Sequence, residues 1–508
     1  MKNRENSAQW LLLTAVFVIA TCGLIYELVA GTLASYLLGD SVTQFSTIIG
    51  VYLFAMGIGS FLSKYFSKDI LGWFIKLEML VGVVGGFSAA ILFLVFPLAS
   101  SFRTILYTLV MLTGILVGLE IPLLMRILKD RVEFKEMVSR VFTFDYIGAL
   151  LASLIFPLLL VPKLGLIRTS LFFGMLNIGV AWYLAGFFSK EIKRASAIKL
   201  AAAGILLLQT VAFVFSNNIM RYSETMMYND NIVYAESSPY QRVVLTRNKR
   251  ELRLFLNGNL QFSSADEYRY HESLVHPALS SIPNVANVLI LGGGDGMAAR
   301  EILKYPTVQR ITLVDLDPMI TKLFSSQDVL VKLNNGSLLN KKLKVINEDA
   351  FIWMRNNREK FDAVVIDFPD PSNFSIGKLY STVFYHLLRN SLQPEGIAVI
   401  QSTSPYVAPK SFWCIDTTLR SAGFYTRAYH NYVPSFGEWG YVLAFPQKEK
   451  NWFTNMPAQL KYLNPDVLQQ CFIFPEDMKT HKTLQPNQLN NQALVNYFEE
   501  EWGKYLEQ

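Results

Sequence analysis

The sequence predicts a multi-pass α-helical membrane domain, then a small β-sheet subdomain, then a Rossmann-like α/β domain. Three observations predict it. Of the 508 residues 52% are hydrophobic and 17% charged, and the apolar excess lies almost wholly before residue 217, in long runs separated by short basic segments. The stretch from Asn287 to Asp317 reads strand, glycine turn, helix, strand. From Val288 onward short apolar runs alternate with helix-like segments, as in a parallel sheet covered by helices on both faces. The expected domains are a transmembrane domain over 1–216, a β-subdomain over 217–275, an α/β domain over 276–446 and a helical tail over 447–508.

In the first domain about seven spans are expected, near 10–37, 42–63, 71–97, 102–125, 143–162, 166–188 and 196–216, each long enough to cross with some tilt. The first run starts too early and continues too long for a signal peptide, so it is expected to stay in the mature protein. Basic residues fall mainly on one side of these spans: Lys2 and Arg4, then Lys64 and Lys68, then Arg126, Lys129, Arg131, Lys135 and Arg140, then Lys190, Lys193, Arg194 and Lys199. That asymmetry places the N-terminus in the cytoplasm of a cell-membrane protein. An odd number of spans carries the rest of the chain to the other side, unless one span, best the first with Glu27 inside it, is re-entrant. Glu27, Glu78, Glu120 and Asp145 lie within or at the ends of spans, where an ionisable group is either a helix-packing partner or part of a cation path.

The three cysteines, Cys22, Cys414 and Cys471, are far apart and suggest neither a disulfide framework nor a thiolate metal site. His271 and His276 lack metal spacing, so no metal is expected. The net charge of +6 is largely accounted for by the basic segments between spans and does not point to nucleic acid.

In the soluble half, β-branched and aromatic runs over 231–262 predict an antiparallel sheet, with Asn257-Gly258 closing a hairpin. Asp266 to Glu272 (DEYRYHE) then opens a helix. Gly292 to Gly296 form a tight turn in which Gly292 and Gly294 let the backbone approach a ligand closely. Asp295 inside that turn would repel a pyrophosphate, so the pattern favours adenosine carrying a cation, a sulfonium of the S-adenosylmethionine type. Asp315 ends the second strand, where an acidic side chain accepts hydrogen bonds from ribose hydroxyls. Asp349 follows the third strand, Leu343 to Ile346, within reach of an adenine amino group. Asp367 and Asp370 follow the fourth, Ala363 to Ile366, in a turn stiffened by two prolines. Asp295, Asp315, Asp349, Asp367 and Asp370 are therefore expected in one crevice at the C-terminal ends of the strands. So many carboxylates together call for cationic ligands, a sulfonium and a polyamine.

These residues resemble the spermidine synthase (polyamine aminopropyltransferase) family, and with the apolar front the chain resembles its membrane-bound, multi-pass bacterial branch. The likeness rests on Tyr240-Gln241, DEYRYHE, GGGDG from Gly292 to Gly296, Asp315-Leu316-Asp317, DFPDP from Asp367 to Pro371, Leu379-Tyr380, Phe384-Tyr385 and Pro434 to Gly440. It implies a class I methyltransferase-type fold and metal-free transfer of an aminopropyl group from decarboxylated S-adenosylmethionine to putrescine or a related amine. The products are spermidine and methylthioadenosine. By position it makes Asp367 the catalytic base, Asp370 a diamine ligand, and Trp439 a residue of the acceptor side. Gln241, Tyr270, His271 and Asp295 would line the two substrate sites, with Asp295 on the aminopropyl ammonium, Asp315 on the ribose and Asp349 on the adenine. It also admits a homo-oligomer formed through the N-terminal sheet region.

The chain departs from the family pattern in having Asp315 where Glu is usual, a bulkier loop over Ser372 to Ile376, and Val433 directly before Pro434. The rival readings are an S-adenosylmethionine-dependent methyltransferase, disfavoured by Asp295, and a membrane polyamine transporter or sensor with a non-catalytic synthase-like domain. The donor is made in the cytoplasm, whereas an odd span count would put the soluble half outside. The side it faces stays open.

Overall fold

The structure is a computed structural model describing residues 2–38, 41–99, 101–129, 132–228, 230–448, 456–480 and 482–506. The chain divides into two compact units, Met1–Asn231 and Ile232–Gln508.

The first unit is helical. Its elements are α1 (Lys2–Leu38), α2 (Ser41–Leu62), α3 (Ile70–Val95), α4 (Phe102–Leu128), α5 (Phe134–Ile155), α6 (Val161–Phe187), α7 (Ala195–Val214) and α8 (Ser216–Met227). Among the described residues, six helical stretches are long and apolar enough to cross a membrane by length and composition. The fifth, Phe134–Phe187, runs for 54 residues and joins α5 to α6 through a π-helical turn at Phe156–Leu160. Gly165, at φ +72° and ψ +175°, puts a kink in it. Helix α8 extends the helical unit past residue 216, where the apolar run ends, and the Ser223 hydroxyl ties it to the Phe93 carbonyl of α3 at 2.5 Å. Helices α2 and α4 touch backbone to backbone, since a Cβ on Gly118 would lie 2.2 Å from the Met56 carbonyl oxygen. Glu78 and Glu120 are buried, while Glu27 and Asp145 are half-buried.

The second unit opens with an antiparallel sheet of β1 (Asn231–Ser237), β2 (Arg242–Arg247), β3 (Leu252–Leu256) and β4 (Asn259–Ser263), in that order. Asn257 (φ +50°) and Gly258 (φ +83°) close β3 onto β4, the left-handed pair a two-residue hairpin loop requires. Helix α9 (Glu267–Leu279) leads into a seven-stranded sheet. Its strands are β5 (Asn287–Gly292), β6 (Arg310–Asp315), β7 (Leu343–Asn347), β8 (Phe361–Asp367), β9 (Leu392–Gln401), β10 (Tyr425–Val433) and β11 (Gly437–Phe445), in the order β10-β11-β9-β8-β5-β6-β7. The strands from β9 to β7 are parallel, and β10 and β11 add an antiparallel edge. This is a Rossmann-type sheet.

The apolar runs of β5 and β8 read continuously because both sheet faces are covered. Val288, Ile290, Ala363 and Val365 enter one core, and Leu289, Leu291, Val364 and Ile366 the other, all fully buried. Each such aliphatic side chain larger than alanine contributes about 1.5–3 kcal/mol of hydrophobic stabilisation. The chain reverses its winding at β5, whose neighbours are β6 on one side and β8 on the other, and a crevice opens at the C-terminal ends of strands there. Helices α10 (Met297–Ile302), α11 (Pro318–Ser326), α12 (Asp328–Leu333) and α13 (Ala350–Asn356) follow β5, β6 and β7. Past β11 the tail contains the helices Pro465–Gln470 and Ala493–Leu506, and residues 449–455 of its expected basic linker lie outside the described residues.

Candidate active site

Gly292 ends β5 opposite Asp367 at the end of β8. It has φ +84°, and a Cβ there would lie 2.1 Å from the Asp367 carbonyl oxygen. At this glycine the close approach is to the neighbouring strand's backbone. At Gly294 it is to a carboxylate: its N–H donates to Asp315 Oδ2 at 3.0 Å, and a Cβ would collide with the same group. The Asp317 N–H donates to Asp315 Oδ1 at 2.9 Å. Burial pushes Asp315 up to about 6, and these two N–H bonds oppose the rise.

Asp367 is fixed by one oxygen. The Tyr270 hydroxyl donates to Oδ1, while Oδ2 faces the glycine turn, 3.2 Å from where a Gly293 Cβ would stand. Burial pushes the Asp367 carboxyl up to about 6; the nearby charge of His271 pulls it back and Asp295 adds to the rise. Asp295 receives the Met297 N–H at 2.8 Å and is likewise raised by burial, opposed by His271. Asp295, Asp315, Asp367 and Asp370 all stay half-buried, with part of their surface open.

His271 is the positive charge of this cluster. Its Nδ1 meets Glu267 Oε2 at 2.8 Å, and Arg300 makes a two-pronged ion pair with the same carboxylate at 2.9 and 2.8 Å. Burial alone would lower the imidazole, but Glu267 outweighs it and raises His271 to about 9. Its folded value lies above the ordinary 6.5, so the pair stabilises the fold fully below pH 6.5, and that contribution is lost as pH rises through about 9. Behind it, Glu301 joins Arg300 to His276 at 2.9 Å each.

Asp370 forms the other wall. Gln401 Nε2 and the Thr403 hydroxyl donate to its two oxygens at 3.1 Å each, and burial pushes it up to about 6 against those bonds. Trp439 Nε1 donates to Gln401 Oε1 at 3.2 Å, so one amide orients both Asp370 and the indole. Tyr380 Oη reaches the Pro369 carbonyl at 3.2 Å and stiffens the same turn.

Two residues make other contacts than the motif reading envisaged. Gln241 Nε2 donates to Asp317 Oδ2 at 2.9 Å, which puts it at the Asp315 end of the site. Asp349 caps α13 by accepting the Phe351 N–H at 2.7 Å, and its other oxygen meets Lys378 Nζ at 2.7 Å. Its pKa is lowered: burial opposes, but the Lys378 ammonium and the cap prevail. Among the described residues, the hydrogen bonds of Asp349 run to Phe351, Ile352 and Lys378 and to none of the other four carboxylates. Glu267, Arg300, Gln401, Thr403 and Lys378 join the site only through the fold. Of these, Glu267 alone stands in a sequence motif, DEYRYHE.

Residues 267–455 match the spermine/spermidine synthase domain family. A polyamine aminopropyltransferase of Leptospira interrogans is 53% identical over 501 residues, covering 98% of this chain and all of that one. Polyamine aminopropyltransferase 2 of Ralstonia nicotianae is 53% identical over 514 residues, covering 99% of this chain and all of its own, and polyamine aminopropyltransferase 1 of Streptomyces coelicolor is 42% identical over 516, covering 99% and 96%. The match therefore takes in the helical unit as well as the α/β unit. The crystal structure of spermidine synthase from Thermotoga maritima superposes with a TM-score of 0.43 at 22% identity, covering 54% of this chain and 87% of that one.

Proposed function

The chain belongs to the spermine/spermidine synthase family, and on that premise we propose how its crevice carries out aminopropyl transfer. It is an enzyme of the polyamine aminopropyltransferase type. The proposed donor is decarboxylated S-adenosylmethionine and the proposed acceptor putrescine or a related primary amine. A neutral acceptor nitrogen attacks the aminopropyl carbon bonded to sulfur. The C–N bond forms as the C–S bond breaks, its electron pair leaves on sulfur as methylthioadenosine, and the proton shed by the acceptor nitrogen passes to Asp367.

The observation that carries this reading is the division of labour on Asp367: Oδ1 is held by Tyr270 and Oδ2 faces the glycine turn. A base so placed is oriented without losing its working oxygen. His271 keeps enough positive charge nearby for Asp367 to ionise near neutral pH. Asp370, raised toward neutrality by burial, would regain full charge when the far ammonium of a diamine reaches it. Asp315 would hold the ribose hydroxyls and Gln241 would brace that end through Asp317. Asp349 would accept the adenine amino group through a lone pair that its cap and the Lys378 ion pair do not use.

The direct test is product analysis of the detergent-purified full chain with decarboxylated S-adenosylmethionine and a panel of amines. Methylthioadenosine and an aminopropylated amine should appear in equal amounts, with putrescine the best acceptor. Donor binding without turnover on any amine would overturn the proposal.

Asp295 carries donor selection, since a carboxylate in the glycine turn attracts an aminopropyl ammonium and repels the carboxylate of S-adenosylmethionine. Asp295→Asn should raise the KM for the decarboxylated donor about tenfold, a loss of ~1.4 kcal/mol. It should also tighten binding of S-adenosylmethionine, measured by calorimetry. Equal affinities of wild type and variant for both compounds would remove this role.

We further place the helical unit in the cell membrane, with the N-terminus cytoplasmic and the bilayer as partner of its apolar surface. The six long apolar stretches and the one-sided basic segments support this.

A further inference from the structure

Helices α1 to α4 enclose a polar cluster that the transfer reaction does not use. Glu78 on α3 and Glu120 on α4 have 0% and 1% of their surface exposed, and none of their four carboxylate oxygens accepts a hydrogen bond from a donor group. The two side chains are near enough for one to hydrogen-bond the other when it carries a proton. Tyr26 on α1 is 2% exposed, and its hydroxyl is also without a partner. Its ring lies on Gly85, two turns along α3 on the face that carries Glu78, and its oxygen is within electrostatic range of both glutamates.

Tyr52 on α2 closes the cluster by donating to the Gly23 carbonyl at 2.9 Å, and Cys22 lines it from α1. Among the described residues of this unit no Lys, Arg or His is buried, so no side-chain cation answers the two carboxylates.

Buried carboxylates left unpaired are costly, and a fold that retains two of them facing each other is built to receive positive charge. The donor set narrows the kind. Two carboxylates and a phenol fall short of the six to eight oxygens that calcium takes. They match a primary ammonium, which presents three N–H donors, one to each unpartnered side chain. We propose that Glu78, Glu120 and Tyr26 form a binding site for the primary ammonium end of an aliphatic amine, within the helical unit and separate from the Asp367 crevice. An aliphatic tail suits the apolar side chains on the same helix faces, with Val81 three residues from Glu78 and Val117 three residues from Glu120, both buried.

The test counts bound amine. Equilibrium dialysis of the detergent-purified full chain against radiolabelled putrescine, without donor, is run on wild type, Glu78→Gln, Glu120→Gln and Tyr26→Phe. Each Gln variant should bind one putrescine fewer per chain than wild type, with aminopropyl transfer unchanged. Tyr26→Phe, which removes only the hydroxyl, should weaken that binding event about tenfold and keep the fold intact. Stoichiometry and affinity equal to wild type in all three overturn the proposal. So does displacement of this amine by sodium or potassium at equal concentration, which would assign an alkali ion. If the crevice bound no amine at all, the variants would still remove one, so failure of the enzymatic reading leaves this test intact.

Discussion

Asp367→Asn is expected to lower kcat about a thousandfold while leaving donor affinity within a factor of about three, because a positioned general base contributes typically 10²–10⁴-fold. The amide keeps the size of the carboxyl and can accept the Tyr270 hydroxyl, so the fold and glycine turn stay as they are. What disappears is the oxygen facing that turn, the only group on β8 able to take the acceptor's proton there. Wild-type kcat/KM for the donor should also rise with pH through about 6, where Asp367 of the free enzyme loses its own proton, and level off above it. The sign follows from the mechanism: the ionised carboxylate is the active form, so activity is lost as pH falls through that value. The variant should show no such limb. Stopped-flow measurement of methylthioadenosine release across pH 5 to 9 reads both quantities, and an unchanged acid limb in Asp367→Asn would move the base elsewhere.

Gly292→Ala should damage fold and activity together. Its φ of +84° is costly for any residue with a Cβ, and the added carbon would stand 2.1 Å from a backbone oxygen, which cannot swing aside as a side-chain tip can. Strain and overpacking together should cost about 3 kcal/mol or more. Because the atom struck is the carbonyl of Asp367, the surviving folded fraction should turn over slowly as well. Gly258→Ala is the control: it has nearly the same φ, +83°, but nothing within 4 Å of the added carbon, and should cost about 1 kcal/mol. Chemical denaturation and kcat of the two variants side by side separate backbone strain from collision. Equal losses would show that the contact with β8 does not matter.

The contrast between these glycines shows what the sequence could reveal. The position of the turn, the strands around it and the carboxylates at their ends were legible because each is encoded locally, by an apolar run followed by a glycine or an acid. The family resemblance drawn from those motifs is borne out by relatives that align along the whole chain. The reason Gly292 must be glycine was not legible, since it depends on a strand that joins the sheet 75 residues later. The His271–Glu267–Arg300 network escaped for the same reason: Arg300 is 33 residues from Glu267 and looks like any helix-surface arginine. Asp349 shows the same limit. Its place after β7 fitted an adenine contact, but nothing in that pattern announced Lys378, 29 residues on, as its partner. Gln401 and Thr403, which orient Asp370, sit at the end of a strand with no motif at all.

Glu272, at the end of DEYRYHE, accepts the backbone N–H groups of Lys461, Tyr462 and Leu463 at 2.8, 2.8 and 3.0 Å. It lies on α9, the helix that carries Tyr270 and His271, and its partners fall beyond residue 455, where the match to the synthase domain ends. Translation therefore finishes the catalytic helix late. A ribosome that has produced every residue of the proposed active site, through β11, still holds a chain in which α9 has not been fastened. The clamp closes 190 residues downstream of where it begins, so synthesis must run well past β11 before α9 is fastened.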